Sequence, residues 1–241
     1  MKSNQIIVVA VACVITVALR FVQLPITNFG SMLALSLLCG FAIRRPWACL
    51  VPVAIRLLTD IGLQMQTGYG FFPNWYFDYT AYIFVALLGQ QIPEWNVLKK
   101  ASHVVAGIAL LSLIGFSGAW MFNTNLTVEQ LKIVRPVAQF SAAVLLCYVT
   151  VMAIGHDQLK RVFAATAGSI AIYFLISNFG SWVYAPQAYE RSLSGLMNCY
   201  VMGIPFVRAT VFGNLLLAPV FFSAWNLATR AEVVPENVAA E

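Results

Sequence analysis

Charge is the scarcest property of this chain. Asp, Glu, Lys and Arg make up only 10% of its 241 residues, where a soluble domain carries about 25%. Too few charged side chains exist to cover a water-facing surface, so an ordinary soluble globule is excluded. Histidine is rarer still, with two residues. His103 and His156 each follow or precede lysines and stand far apart in sequence, so neither a metal site nor histidine-based catalysis is expected. HExxH, GxSxG, Walker A and GxGxxG segments are all missing, which leaves no motif for an enzyme or a bound cofactor. The five cysteines fall singly, mostly in apolar stretches, and their odd number and spacing point to buried thiols rather than to disulfides or metal ligands.

Apolar residues are abundant. They make up 61% of the chain, and the mean hydropathy is +0.81. With about 20 residues per crossing, such a chain reads as an all-α, polytopic transmembrane bundle. Apolar runs between breaks of charge, Gly, Pro or Asn predict eight helices, at 5–22, 29–43, 47–64, 76–92, 101–122, 136–155, 161–183 and 207–229. Lys2 precedes an apolar stretch, as in a signal peptide. The residues after it, Arg20 to Pro25, lack a small-residue cleavage site, so the run is kept as a mature helix. Residues 1–230 are read as one transmembrane domain, and 231–241 as a disordered cytoplasmic tail.

The net charge of +5 does not indicate a nucleic-acid partner, because no basic run or aromatic-basic interleaving accompanies it. Its distribution fits the positive-inside rule. With both termini cytoplasmic, the inner segments hold Lys2, Arg44, Arg45, Lys99, Lys100, Lys160, Arg161 and Arg230, and the outer ones Lys132, Arg135 and Arg191. A multi-pass protein of the cell inner membrane is expected. Asn125-Leu126-Thr127 fits an outer glycosylation sequon, a cheap pattern.

Two outer connections stand out. Gln64 to Tyr79 is dense in aromatics with two glycines and a proline, and reads either as an interfacial belt or as a lid over a cavity. Tyr184 to Pro205 is too long for a tight turn and too apolar for a free loop. The chain also nearly repeats itself: Ile-Thr-Asn-Phe-Gly-Ser at 26–31 and Ile-Ser-Asn-Phe-Gly-Ser at 176–181. Each copy falls at the outer end of a predicted helix, where it reads as a cap or as half of a paired binding surface.

Ionisable groups within a bilayer are costly, so they face the bundle interior or a wet cavity. Here they are Arg20, Arg56, Asp60, Asp78 and Arg208. Arg56 and Asp60, four residues apart, share a helix face and can brace one another. By predicted depth, Arg20, Asp60, Asp78 and Arg208 fall in the outer half and Arg56 near the middle, as an outward cavity requires. Trp75, Tyr79, Asn178, Trp182 and Asn214 are available for its wall. Pairs such as Ser36/Gly40 and Ala164/Gly168 suit close helix packing, or docking of a partner.

The clearest pattern lies in residues 161–225: Ile176-Ser177-Asn178-Phe179-Gly180-Ser181-Trp182, then Leu193 to Tyr200, Ile204 to Thr210, and Gly213-Asn214-Leu215-Leu216. Residues 17–91 add Asn28-Phe29, Gly40, Arg44-Arg45, Leu57 to Asp60 and the stretch Tyr82 to Gly89. These segments look like a family of small bacterial membrane proteins that itself resembles the substrate-binding S components of energy-coupling factor (ECF) transporters. The resemblance implies a six-helix core that binds a vitamin-like molecule or metal ion near the outer face, powered by separate membrane and ATPase subunits. Residues 93–158 depart from that pattern as an inserted helix pair, and Asn214 stands where the family often has an acid.

The expected function is therefore binding and transport of a small polar or anionic solute. Arg20 and Arg208 would attract its anionic group, Asp60 and Asp78 would hold its donors or balance charge, and Arg56 beside Asp60 counts among the binding residues. Asn28 and Asn178 would orient it, and Trp75, Tyr76 and Trp182 would stack and close over it. The alternative is an accessory subunit of a larger membrane complex, with no substrate of its own.

Overall fold

A computed structural model of the chain describes residues 3–22, 29–93, 101–113, 128–154 and 157–231. Among them are eight helices and no strands: α1 (Ser3–Phe21), α2 (Met32–Ala42), α3 (Trp47–Thr67), α4 (Trp75–Gly89), α5 (Ala101–Leu113), α6 (Val128–Ile154), α7 (Asp157–Tyr184) and α8 (Leu193–Ala231). Four of them, α1, α3, α7 and α8, are long and apolar enough to cross a membrane. The chain is thus an all-α bundle with the helices of an integral membrane protein. Asn28, His156, the 125–127 sequon and residues 232–241 of the expected tail lie outside the described residues.

The shortest helix is the most enclosed. Every residue of α2 from Met32 to Gly40 is buried, yet its 11 residues rise only about 16 Å, half of a hydrocarbon core. Two glycines set it against α4. A Cβ at Gly40 would collide with the Ala86 carbonyl, and one at Gly89 with the Leu37 backbone. Without those side chains the two backbones touch, and close approach of this kind is the main source of helix association in lipid. α2 and α4 then pack on α7 and α8, where Leu35, Leu38, Val85, Phe163 and Phe222 form the centre of the core.

Local chemistry explains where the helices end. α3 stops at Gly68, whose φ of 75° is left-handed and whose N–H bonds the Gln64 carbonyl. Ser192 caps α8, its hydroxyl accepting the Gly195 N–H at 3.1 Å. Arg191 donates to the Trp182 and Val183 carbonyls at the end of α7. These two caps reduce the expected long connection from Tyr184 to Pro205 to residues 185–192. Residues 193–206 are instead the first turns of α8, whose 39 residues extend about 58 Å. Pro205 did not stop the helix.

The pair α5 and α6, expected as an insertion, packs on the outside of α7 and α8. His103 meets the Tyr148 hydroxyl at 2.6 Å, Tyr148 packs on Phe163, and the Cys147 thiol donates to the Leu215 carbonyl at 3.4 Å. α6 starts at Val128, so Lys132 and Arg135 belong to a helix and not to a connection.

Candidate functional site

The C-terminal turns of α1, α3 and α7 meet the N-terminal turns of α2 and α4 at one end of the bundle. There an ion-pair network joins three helices. Asp60 of α3 accepts from Arg20 of α1, from Arg56 Nε one turn earlier at 2.9 Å, and from the Tyr79 hydroxyl of α4 at 2.9 Å. Arg56 Nη2 reaches on to Asp78 Oδ2 of α4 at 3.9 Å. Asp60 is 0% exposed, whereas Arg20, Arg56 and Asp78 keep 16%, 12% and 14% of their side chains open. Asp60 is therefore a committed internal counter-ion, and the other three retain a free edge.

Those edges face a cavity of about 760 Å³, within the range of small-molecule sites. Arg20, Arg56 and Asp78 are the charged residues among its described lining. Its polar wall also includes Asn74, Ser177, Asn178 and Ser181. Its described lining also has apolar side chains, among them Phe29, Leu63, Phe72, Phe174, Met202 and Phe206. Tyr82 stacks on Tyr173 at 5.6 Å between centroids, and the Arg56 guanidinium lies 5.8 Å from the Tyr82 ring. Two buried polar atoms here have no hydrogen-bond partner: Arg20 Nε and Asp78 Oδ1. Tyr189, in the 185–192 connection, closes part of the rim. Burial raises its phenol above the ordinary value, and the Cys199 thiol adds to the shift.

The two near-identical hexapeptides both reach this cavity, by different routes. In the first, Phe29 and Gly30 line it, and Ser31 precedes α2 and shares a 2.8 Å hydroxyl contact with Thr16. In the second, Ser177, Asn178 and Ser181 line it from within α7, which continues to Tyr184, so this copy is not a cap. One of its contacts is lateral, with Asn74 Nδ2 donating to the Ser181 hydroxyl at 3.3 Å, and another runs back along α7 itself, from Asn178 Nδ2 to the Phe174 carbonyl at 2.8 Å. The glycine of the second copy makes room for a neighbour, whereas a Cβ on Gly30 would meet nothing within 4 Å and it is Gly213 that lets α8 approach the first copy. A Cβ on Gly180 would stand 2.6 Å from the Phe77 ring, and Gly213 of α8 leaves only 2.6 Å between its own would-be Cβ and the Gly30 carbonyl.

Asn214 joins the two halves of the site. Its Oδ1 accepts the Ala34 N–H at 2.9 Å, so a side chain of α8 caps the N-terminus of α2, while its Nδ2 donates to the Thr210 carbonyl at 2.7 Å. That end of α2 carries a partial positive charge toward the cavity.

Of the residues expected at a binding site, the structure brings Arg20, Arg56, Asp78 and Asn178 to the cavity wall and Asp60 directly behind them. Trp75 and Tyr76 stand outside the lining, exposed with Tyr184 in an edge-to-face cluster that rests on the buried Tyr79. Trp182 also stands outside it, its indole N–H donated to the Glu190 carbonyl and its ring under Arg191. Arg208 is exposed and off the wall. Gly203, Val207, Thr210 and Asn214 form the stripe of α8 that faces the cavity, and position 208 falls beside it. Asn74, Tyr82, Tyr173, Ser177 and Ser181 were not named as single site residues, although Ser177 and Ser181 belong to the hexapeptide that reads as half of a binding surface. Tyr173, Ser177 and Ser181 recur every four residues on α7, and Asp78 and Tyr82 do so on α4, a spacing that could have revealed them.

Compared with known families, the chain matches the model described as a family of unknown function (DUF6580) over residues 1–127 and over residues 116–236. No curated protein and no solved structure matches it.

Proposed function

For a chain that belongs to the DUF6580 family, a family of unknown function, we propose binding of a small polar or anionic solute as a step in its transport, in the manner of an S component. One observation carries this reading: the 760 Å³ cavity at one end of an apolar bundle is lined by two arginines and an aspartate. Charged groups within a bilayer are retained where they serve an ion or solute path, because burying them otherwise costs several kcal/mol. A structural brace alone would need Asp60 and one arginine, not a further pair with open edges beside a void.

In this reading Arg56 and Arg20 hold the acceptor group of the solute, and Asp78, Asn74 and Asn178 its donors. Asp60 keeps both guanidinium groups in place. The apolar side chains of the lining take the body of the solute. The motifs of energy-coupled ATPases are missing from the chain, so partner membrane subunits and an ATPase module would supply the energy. Inner-membrane placement with both termini cytoplasmic, as the basic residues suggest, turns the cavity outward. The exposed aromatic cluster of Trp75, Tyr76 and Tyr184 then sits at headgroup level.

The test is thermal unfolding of the purified protein in lipid nanodiscs against a panel of vitamins and metabolites. At least one compound is expected to raise the midpoint, and Ser177→Trp, which fills the cavity, to abolish the shift. A panel without effect, or a shift that persists in Ser177→Trp, overturns the reading.

A further inference from the structure

We propose that the solute taken by this cavity is net neutral and carries charges of both signs, a zwitterion with an apolar body; this rests on the binding function proposed above. The argument is one of charge balance. Arg20 and Arg56 are offset by Asp60 and Asp78, and no other charged residue is found among the described lining. With all four side chains counted as ionised, the formal charge of the empty site is zero. A simple anion would add one uncompensated charge to a place where burial makes charge expensive, and a simple cation would do the same with opposite sign. A zwitterion adds none.

The bonding left open in the site has the same two-sided character. Arg20 Nε is a donor without an acceptor, and Asp78 Oδ1 is an acceptor without a donor. Asp60 cannot turn toward a ligand, since three donors already hold it at zero exposure. Asp78 is thus the carboxylate that meets a positive group, and Arg20 and Arg56 are the guanidiniums that meet a negative one. Phe174, Met202 and Phe206 add apolar side chains to the lining of the same cavity, where a hydrocarbon or aromatic body fits.

The experiment compares charge forms of the same molecules on the unmodified protein in phosphatidylglycerol nanodiscs, whose lipid is not zwitterionic. Leucine, phenylalanine and tryptophan serve as zwitterions, their N-acetyl derivatives as anions and their amides as cations; glycerophosphocholine, a net-neutral phosphodiester, is set against the dimethyl phosphate anion. Zwitterionic forms are expected to bind about tenfold or more tightly than their charged counterparts. Asp78→Asn, which leaves the site one charge positive, is expected to reverse the preference toward the N-acetyl anion. Discs containing phosphatidylethanolamine separate a free solute from a lipid headgroup: soluble zwitterions bind equally in both discs if the ligand is free, and are excluded from the second if a headgroup occupies the site. Anions binding as tightly as zwitterions overturn this inference and leave the binding function standing. No binding by any form, with Ser177→Trp indistinguishable from the parent, overturns both.

Discussion

Where α2 crosses α4 the chain uses glycine, and where α1, α3 and α4 converge it uses charge. At the first place Gly40 and Gly89 let two backbones touch, and the surrounding side chains fill the space. At the second, Arg20, Asp60, Arg56 and Asp78 tie three helices together beside a cavity. Both are solutions to assembly in lipid, where burial of apolar surface supplies no net drive between helices. The glycine seam gains contact by removing atoms. The charged end gains direction: an ion pair fixes which faces meet, and it leaves room where the side chains do not reach.

The comparison breaks most easily at Asp60. Asp60→Ala leaves two guanidinium groups facing one another with a single distant carboxylate, and a loss of about 3–5 kcal/mol is expected from orphaning buried charge. Unfolding in a denaturing detergent titration measures it; a loss below that of any glycine substitution would show that the network is not what joins α1 to α3. The seam is the next test. Gly40→Val drives two methyls and a Cβ into the Ala86 carbonyl, for which about 1–3 kcal/mol of destabilisation is expected. Gly107 is its control. A Cβ there meets nothing within 4 Å, so Gly107→Ala in α5 should be neutral or raise stability by up to about 1 kcal/mol. Equal effects at the two glycines would remove the distinction between a packed seam and an ordinary helix surface.

Asn214 ties one region to the other, since it caps a helix of the seam from the wall of the cavity. Asn214→Ala should cost about 0.5–2 kcal/mol, the range for a lost cap. It should also weaken any cavity ligand, because the N-terminus of α2 loses its anchor. Asn214→Asp, which keeps the acceptor, should recover most of the stability. Full affinity in Asn214→Ala would sever the two regions.

Much of the bundle was readable from hydropathy alone. Eight helices were expected and eight are found among the described residues, because apolar runs of this length have few other outcomes in lipid. The first turns of α8 were not legible: Gly195, Gly203 and Pro205 read as breaks, and only the Ser192 cap and the Arg191 contacts at the end of α7 show that the helix begins at Leu193. Within the site, Arg56 and Asp60 were visible through their spacing of four. The tie from Arg20 to Asp60 joins residues 40 positions apart, and depth in the bilayer was its only signal. Asn74 and Ser177 carry no charge, so they were marked only as members of longer stretches, the 64–79 connection and the second hexapeptide, and not as single residues.

Arg208 shows what depth leaves out, and it supplies the smallest of the expected effects. It is an arginine at the same level of the bundle as the cavity, one residue after Val207 and two before Thr210, both of which line the wall. A helix turns 100° per residue, however, so neighbours in sequence point to different sides. The stripe 203, 207, 210 and 214 faces inward, and 208 is exposed. Arg208→Ala should therefore change stability by less than about 0.5 kcal/mol, as surface substitutions do. Affinity for a cavity ligand should change by less than about twofold, since an exposed charge acts through screened solvent. Arg56→Ala, measured by the same titration, should lower affinity by about tenfold or more, through loss of a partly buried charged partner. A large effect at 208 with none at 56 would place the ligand on the outer face of α8 and not in the cavity.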